Sequence, residues 1–516
     1  MSSSSSSSSV LDEARRIAAQ FEYSAEELNR GVREFIREMH EGLEEEGATL
    51  RQIPTYVTAV PEGTEKGVYL AVDLGGTNFR VCSVNLHGDS TFSICQSKVP
   101  IPSTLMTTKN SADLFSFLAL QIENFLATHQ SEHFDLHIKK RQTGQITAPY
   151  TDDHIFNLGF TFSFPVDQHG INSGTLIRWT KGFDIKEAVG KDVCKLLQDA
   201  IDERKLPVRV AALVNDTVGT LMARSYSSPG PSKALIGAIF GTGTNGAYVE
   251  KLARVTKLDK KNGDSAAAKY DRATGEMVIN VEWGSFDNHL SVLPTTIFDS
   301  DLDNDSVNPG IQMFEKRISG MFLGEILRRA LLSMVKDPAV KLFSNDSAAR
   351  QNGLVTIIPA DSGLHKQWGI DTSFLSTVEA DDSPAFDATR SQVRQEFGIE
   401  NASTDDCHAV KILVHAIGKR AARLSALALG AVIISTGRLR GEGEVEKGDG
   451  VVDIGVDGSV VEHYPGFEGY LREAFREIEG IGENGEARIT IGVAKDGSGV
   501  GAALGALVAG RTGGRE

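Results

Sequence analysis

Asp73-Leu-Gly-Gly-Thr-Asn78 follows the apolar run Gly67-Val-Tyr-Leu-Ala-Val72, and Gly241-Thr-Gly-Thr-Asn245 follows the apolar run Ala234-Leu-Ile-Gly-Ala-Ile-Phe240. After each turn the chain re-enters an extended stretch, Phe79-Arg-Val-Cys-Ser-Val84 in the first case and Gly246-Ala-Tyr-Val249 in the second. Each segment therefore reads as strand, small-residue turn, strand. Glycine lets backbone N–H groups approach an anion closely, and threonine adds a hydroxyl donor. One such turn is an ordinary tight hairpin. Two of them, about one domain length apart, point to a duplicated phosphate clamp that closes on a nucleotide from both sides.

The 516 residues leave room for two or more domains with sizeable cores. With 41% apolar and 24% charged residues, the composition is that of an ordinary globular protein. Lys and Arg number 53 against 69 Asp and Glu, a net charge of −16, which argues against nucleic acid or an anionic membrane surface as partner. A nucleotide-binding chain this anionic must concentrate positive groups locally or recruit Mg²⁺. The four cysteines (Cys82, Cys95, Cys194, Cys407) show no C-x-x-C pair and no metal-ligand spacing, so they read as reduced thiols of a cytosolic chain. The sequons at Asn304 and Asn345 are then chance matches. No apolar run is long enough to span a bilayer, and the longest, Leu424 to Ile434, reads as a buried helix or strand. Met1 and the eight serines after it lack the basic and apolar regions of a signal peptide, so residues 1–9 are expected to be a disordered tail.

Residues 10–47 carry apolar groups at helical spacing: Leu11, Ile17, Phe21, Leu28, Val32 and Ile36. A proline-marked connector from Leu50 to Glu65 leads into an α/β block running to about Asn215, and a second α/β block continues to about Lys495. Thr128 to His154 is polar and holds His129, His133, His137 and His154 at spacings that fit no standard zinc ligand set, so it reads as a solvated surface loop. Asp259 to Thr274 also reads as an exposed loop, and Val410 to Val432 as a helix. The final segment, Asp496 to Leu507, is a glycine turn opening a small-residue helix. That composition suits packing against a nucleotide's base or ribose and suits a close-packed terminal helix equally well.

Further groups lie around the clamps. Leu158-Gly-Phe-Thr-Phe-Ser-Phe-Pro165 is an apolar strand carrying hydroxyls, and Thr175-Leu-Ile-Arg-Trp-Thr-Lys-Gly-Phe-Asp184 sets Lys181 beside aromatic residues. The apolar strand Val208 to Val214 ends in Asn215-Asp216-Thr217, where a carboxylate at the C-terminal end of a buried strand is well placed as a general base. The competing role for Asp216 is to cap the helix from Val218 to Tyr226. Ile279-Asn-Val-Glu-Trp-Gly284 places Glu282 in an apolar and aromatic setting, and Phe314-Glu-Lys-Arg-Ile-Ser-Gly320 opens a helix with Glu315. Buried carboxylates need hydrogen-bond donors, which a polyhydroxylated ligand can supply. Glu315 also fits as a first-turn residue favoured by the helix dipole.

Together these segments resemble the eukaryotic hexokinases over nearly the whole chain, from about residue 10 to residue 508. Leu158 to Pro165 followed by Trp179-Thr-Lys-Gly-Phe183 is similar to the family's sugar-binding signature, and Asn308-Pro-Gly310 with Phe314 to Glu325 is most like the fungal glucokinases. The resemblance implies an α/β, actin-like ATPase (ribonuclease H-like) fold, with two α/β domains hinged around a deep cleft. The small domain would comprise 67–215 plus 496–516 and the large domain 10–66 plus 216–495. It implies a first phosphate loop of Asp73, Gly75, Gly76, Thr77, Asn78 and Arg80, and a second of Gly241, Thr242, Gly243 and Thr244. Gly497, Ser498 and Gly499 would sit by the adenosine. Ser163, Phe164, Thr180 and Lys181 would hold the sugar from the small domain. Asn215 and Asp216 would meet it near the hinge, and Asn245, Glu282 and Glu315 from the large domain. The implied reaction is transfer of the γ-phosphoryl group of MgATP to the 6-hydroxyl of glucose, with Asp216 as base, Lys181 as positive charge and Asp73 placing Mg²⁺ through water. The implied protein is a cytoplasmic monomer or weak homodimer without a membrane span. A broad-specificity hexokinase acting on fructose and mannose, and a non-catalytic glucose sensor, are the alternative functions.

Overall fold

In this computed structural model the described residues are 9–143, 155–228, 233–261, 270–340, 342–344, 358–439, 450–494 and 496–513. Among them thirteen strands occur in chain order. These are β1 (Ile53–Pro54), β2 (Lys66–Leu74), β3 (Asn78–His87), β4 (Phe92–Pro100), β5 (Phe156–Phe162), β6 (Val166–Gly170) and β7 (Ser173–Leu176). They continue with β8 (Val208–Val214), β9 (Ala234–Phe240), β10 (Thr244–Lys251), β11 (Glu276–Asn280), β12 (Val452–Asp457) and β13 (Ile489–Val493).

The two sheets repeat one topology. The first runs β4-β3-β2-β5-β8, with β2, β3 and β4 antiparallel and β5 and β8 added in parallel. The second runs β1-β11-β10-β9-β12-β13, with β9, β10 and β11 antiparallel and β12 and β13 parallel. Apart from the short edge strand β1, each sheet thus has its first three strands as a meander and its last two on the far side of the first. Parallel neighbours need crossover connections, and helices supply them. In each sheet the first hairpin, β2–β3 or β9–β10, carries one of the two glycine turns at its tip.

Two helices cross between the sheets, and small residues permit it. The helix Asp216–Ser227 packs on β9, β10 and β12, while the C-terminal helix Gly497–Gly513 packs on β2, β5, β8 and the Asp216–Ser227 helix. A methyl group on Gly219 would stand 2.3 Å from the Gly497 carbonyl oxygen, and one on Gly501 2.1 Å from the Gly219 Cα. On the first sheet a methyl on Gly159 would meet the Ala502 carbonyl oxygen at 1.9 Å. Close packing therefore accounts for the small-residue composition of the C-terminal helix. Strand periodicity does the rest: Leu70, Val72 and Leu74 join a core under one face of the first sheet, while Ala71 joins the core that contains the C-terminal helix.

The N-terminal segment is two helices, Val10–Ala18 and Ala25–Glu44, separated by a short break and a capping box at Ser24. Both lie on the helix Thr404–Thr436, which starts at its own capping box on Ser403 and spans the expected helical stretch Val410 to Val432. The expectation for residues 1–9 falls largely on residues 1–8, outside the described set; Ser9 itself caps the first helix by accepting from Asp12 N at 3.1 Å.

One expectation of surface loop is corrected, and a second only at its start. Within Thr128 to His154, residues Ser131–Gln142 form a helix with Phe134 and His137 buried, because these two side chains lie on one face of the helix. His129 packs on Phe125 at 4.8 Å between ring centres and His133 on Phe156 at 4.5 Å, while His154 lies outside the described residues. Within Asp259 to Thr274, the helix Lys257–Lys261 reaches into the expected loop, and 262–269 lie outside the described residues. All four cysteines are free, three of them buried. Among the described residues no helix is long and apolar enough to cross a membrane.

Candidate active site

A cleft of about 470 Å³ opens between the two sheets. From the first sheet's side it is lined by Ser163, Phe164, Lys181, Asn215 and Asp216, and from the second's by Gly243, Thr244, Asn245, Glu282 and Glu315. Residues from six separate sequence segments therefore converge on one space.

Ser163 and Phe164 leave β5 just beyond its hydrogen-bonded end, with Ser163 N donating to the Leu74 carbonyl at 3.4 Å. Phe164 belongs to an aromatic floor: its ring lies 4.9 Å from Trp179 and 5.1 Å from Phe183, and Trp179 stacks on Phe183 at 5.2 Å. Trp179 Nε1 donates to the Ile185 carbonyl at 2.8 Å, which satisfies the indole inside this cluster. The floor fixes the segment that carries Lys181, a residue held at φ 56° with Nζ 5.6 Å from the Phe164 ring centre. Gly76 of the first glycine turn lies against the stem of this lysine, where an added methyl would stand 3.3 Å from Lys181 Cβ. The first turn and Lys181 are thus in contact, although more than a hundred residues separate them in sequence.

Asn215 and Asp216 divide the two roles that the sequence left open. Asn215 is the helix cap: its Oδ1 accepts from Thr217 N at 2.9 Å and from Thr217 Oγ1 at 2.5 Å. Asp216 is the first helical residue, with Oδ1 also accepting from Thr217 N at 2.9 Å, and its carboxyl faces the cleft. Burial raises the Asp216 pKa to about 6, and the negative charge of Glu282 adds to the rise; the Thr217 N–H and Lys181 oppose it.

On the opposite side, Glu282 sits at φ 57° just after β11. Its Oε1 accepts from Asn280 Nδ2 at 2.8 Å and from Asn245 Nδ2 at 3.1 Å. Glu315 opens a short helix, and its Oε2 accepts from Thr244 N at 3.1 Å. Burial raises the Glu315 pKa, opposed by that N–H. A methyl on Gly243 would stand 3.1 Å from Glu315 Oε2, so the second glycine turn and the carboxylate are in close approach.

The second turn is pinned from behind. Gly320 N donates to the Gly241 carbonyl at 2.7 Å and Met321 N to the Thr242 carbonyl at 3.2 Å, which ties it to the start of the helix Gly320–Lys336. Trp283 Nε1 donates to Thr244 Oγ1 at 3.0 Å. In the first turn Gly75 N donates to the Asn78 carbonyl at 3.2 Å, and Asn78 Nδ2 to Thr77 Oγ1 at 2.9 Å. Arg80 reaches from β3 to Asp73 Oδ2 at 3.3 Å, to Asp496 Oδ1 at 2.7 Å and to the Ser498 hydroxyl. Burial raises the Asp73 pKa, and Arg80, Ser498 and Lys181 counter it.

Of the expected ligand-holding residues, Thr180 does not line the cleft; its carbonyl accepts from Phe183 N at 3.1 Å. Asp73, Gly75, Gly76, Thr77, Asn78, Gly241, Thr242, Gly497, Ser498 and Gly499 also lie outside its lining. Gly497 abuts Thr220 of the Asp216–Ser227 helix, and Ser498 is joined to Arg80. Asn280 lines the cleft and was not singled out from the sequence. It lies at the end of β11, two residues before Glu282, where local sequence does not set it apart from other strand-end amides.

Residues 13–226 match one hexokinase family model and residues 235–508 a second. The chain is 60% identical to the glucokinase of Aspergillus niger over 98% of each chain. It is 42% identical to glucokinase-1 of Saccharomyces cerevisiae over 97% of each. Among solved structures, the Schistosoma mansoni hexokinase complexed with glucose is 30% identical with a TM-score of 0.73, covering 96% of this chain and 98% of that one. Another hexokinase structure is 28% identical with a TM-score of 0.77, covering 97% and 99%.

Proposed function

Because the chain belongs to the hexokinase family, with that family's actin-like α/β fold, we infer that it is an ATP-dependent glucokinase phosphorylating the 6-hydroxyl of glucose to glucose 6-phosphate. The observation that carries the mechanism is Asp216, a carboxylate that lines the cleft together with Lys181, Glu282 and Glu315 and whose pKa burial raises to about 6. Asp216 accepts the proton of the 6-hydroxyl as that oxygen attacks the γ-phosphorus of ATP. Transfers of this kind pass through a loose transition state, so catalysis is chiefly positioning and charge stabilisation. Lys181, lying against Gly76, supplies positive charge beside the first turn, and the N–H groups of both turns extend it. Ser163, Asn215, Glu282 and Glu315 ring the sugar, and the aromatic floor under Lys181 excludes water from one side.

The residues present fit a magnesium ion carried in on the nucleotide. Mg²⁺ keeps most of its waters and takes one or two carboxylates. Asp73 offers one partly exposed carboxylate, and would hold the ion through water. When bound, the ion neutralises charge on the phosphates. Residues 67–215 plus 496–516 are assigned to a small domain and 10–66 plus 216–495 to a large one; the C-terminal helix supports this by packing on β2, β5 and β8. The protein is assigned to the cytoplasm, as a monomer or weak homodimer, and four free cysteines suit a reducing compartment.

Sugar-dependent ADP release with MgATP tests the function, with glucose, mannose, fructose and N-acetylglucosamine compared side by side. Strong turnover with glucose and little with fructose is expected. Comparable fructose turnover would make the protein a general hexokinase, and no turnover with any sugar would overturn the enzymatic reading in favour of a sensor.

A further inference from the structure

We propose that Asn280 is a positioning residue for sugar recognition: with Asn245 it saturates one oxygen of Glu282 and leaves the other as the single acceptor presented to a sugar hydroxyl. The proposal rests on the cleft being the glucose site.

Asn245 has two amide hydrogens and two acceptor positions, and all four are in use. Its Oδ1 accepts from Gly246 N at 2.7 Å and from Glu282 N at 3.0 Å. Its Nδ2 donates to Asn280 Oδ1 at 2.8 Å and to Glu282 Oε1 at 3.1 Å. Backbone N–H groups cannot accept, so they fix which way this amide points. Asn280 inherits its orientation from Asn245: Oδ1 faces the Asn245 amide hydrogens, and Nδ2 is left to donate to Glu282 Oε1 at 2.8 Å. Turned the other way, the Asn280 carbonyl oxygen would face a carboxylate. A directed chain therefore runs from two backbone donors through two amides to one carboxylate oxygen.

Three features show that the chain is built to hold Glu282 still. Asn280 is 6% exposed, and a buried amide keeps its place only when its hydrogen bonds are met. Asn280 ends β11 in register with Ala247 of β10 and Ile53 of β1, so its backbone is fixed on both sides. Glu282 has φ 57°, a conformation that residues other than glycine seldom adopt, and Asn245 Oδ1 holds its N–H there. Among the described residues Oε2 of Glu282 has no hydrogen-bond donor, and it belongs to a side chain lining the cleft. Asn245 itself has no donor left for a ligand.

The test is a double-mutant cycle on the full-length protein, assayed with glucose and MgATP. Losing a hydrogen bond to a charged group is expected to raise the glucose KM by roughly ten- to hundredfold in Asn280→Ala. The ATP KM should stay within about twofold, which a general loss of structure would not spare. Glu282→Ala should raise the glucose KM at least as far, and the double variant should be no worse than Glu282→Ala alone. Asn280→Asp keeps the side-chain size and sets a like charge beside Glu282, so it should also raise the glucose KM. A wild-type glucose KM in either Asn280 variant, or fully additive effects in the cycle, would overturn the proposal. So would failure of both variants to fold, which would make the role of Asn280 structural. Absence of glucose turnover in the unmutated protein is a different result, and would overturn the functional reading itself.

Discussion

Asp216 titrates where it can be watched. As the proposed base its carboxyl must be ionised to accept a proton, so kcat/KM for glucose should fall about tenfold per pH unit below an acid limb near pH 6. The charge of Glu282 contributes to that raised value, so Glu282→Gln should move the limb to lower pH as well as weaken sugar binding. The same shift affects stability. A pKa raised from 3.8 to about 6 means that the folded protein holds this proton more tightly than the unfolded chain does. The cost of burying the charge is therefore full above about pH 6 and fades as the pH falls towards 3.8. Asp216→Asn should raise the Tm at pH 7.5, with the gain shrinking over that window; an unchanged Tm at pH 7.5 would contradict the burial argument. At this scale the residues that interrupt apolar runs, Lys181, Asp216 and Glu282, could be read from the sequence. Asn280 could not be ranked above any other strand-end amide, because its part depends on the direction of hydrogen bonds inherited from Asn245. Asn215 and Asp216 each fitted the cap by residue type, and only the geometry separates them.

The crossing of the C-terminal helix and the Asp216–Ser227 helix is the element on which the two sheets meet. Gly219→Ala would drive a methyl to 2.3 Å from a backbone oxygen, and the resulting overpacking should cost about 1–3 kcal/mol. Gly469 is the control: it lies within the helix Phe467–Glu477, and a methyl there would meet nothing within 4 Å. Gly469→Ala should be stabilising by about 0.5–1 kcal/mol through helix propensity. Urea unfolding of both variants checks the pair, and equal effects would mean that the crossing is looser than described. The strands flanking both glycine turns were legible because apolar runs broken by Gly and Asn leave few alternatives. The Ser131–Gln142 helix was not, since only Phe134 and His137 are buried and its many charged and histidine residues mask that short apolar face.

Across the whole molecule the duplicated sheet order sets one glycine turn against Lys181 of the cleft and brings the end of the other, Gly243 and Thr244, into its lining. The spacing of those turns announced a repeat, but the crossing of two helices between the sheets lay beyond any local pattern, because contacts such as Gly219 to Gly501 join residues far apart in the chain. With the proposed sugar contacts contributed from both sides, glucose should draw the two halves together, and small-angle scattering should record a smaller radius of gyration with glucose than without. An unchanged radius would argue that the cleft is already closed. The same coupling predicts slow ATP hydrolysis without sugar, since water alone cannot satisfy both sides.

The most direct test of the account is the glucose-dependent turnover of Asp216→Ala beside the unmutated protein, with folding checked by circular dichroism. A general base is worth roughly 10²–10⁴ in rate, so kcat should fall by at least the lower figure while the fold is retained. Undiminished turnover in a folded Asp216→Ala protein would contradict the assignment of the catalytic base, and with it the mechanism built on this cleft.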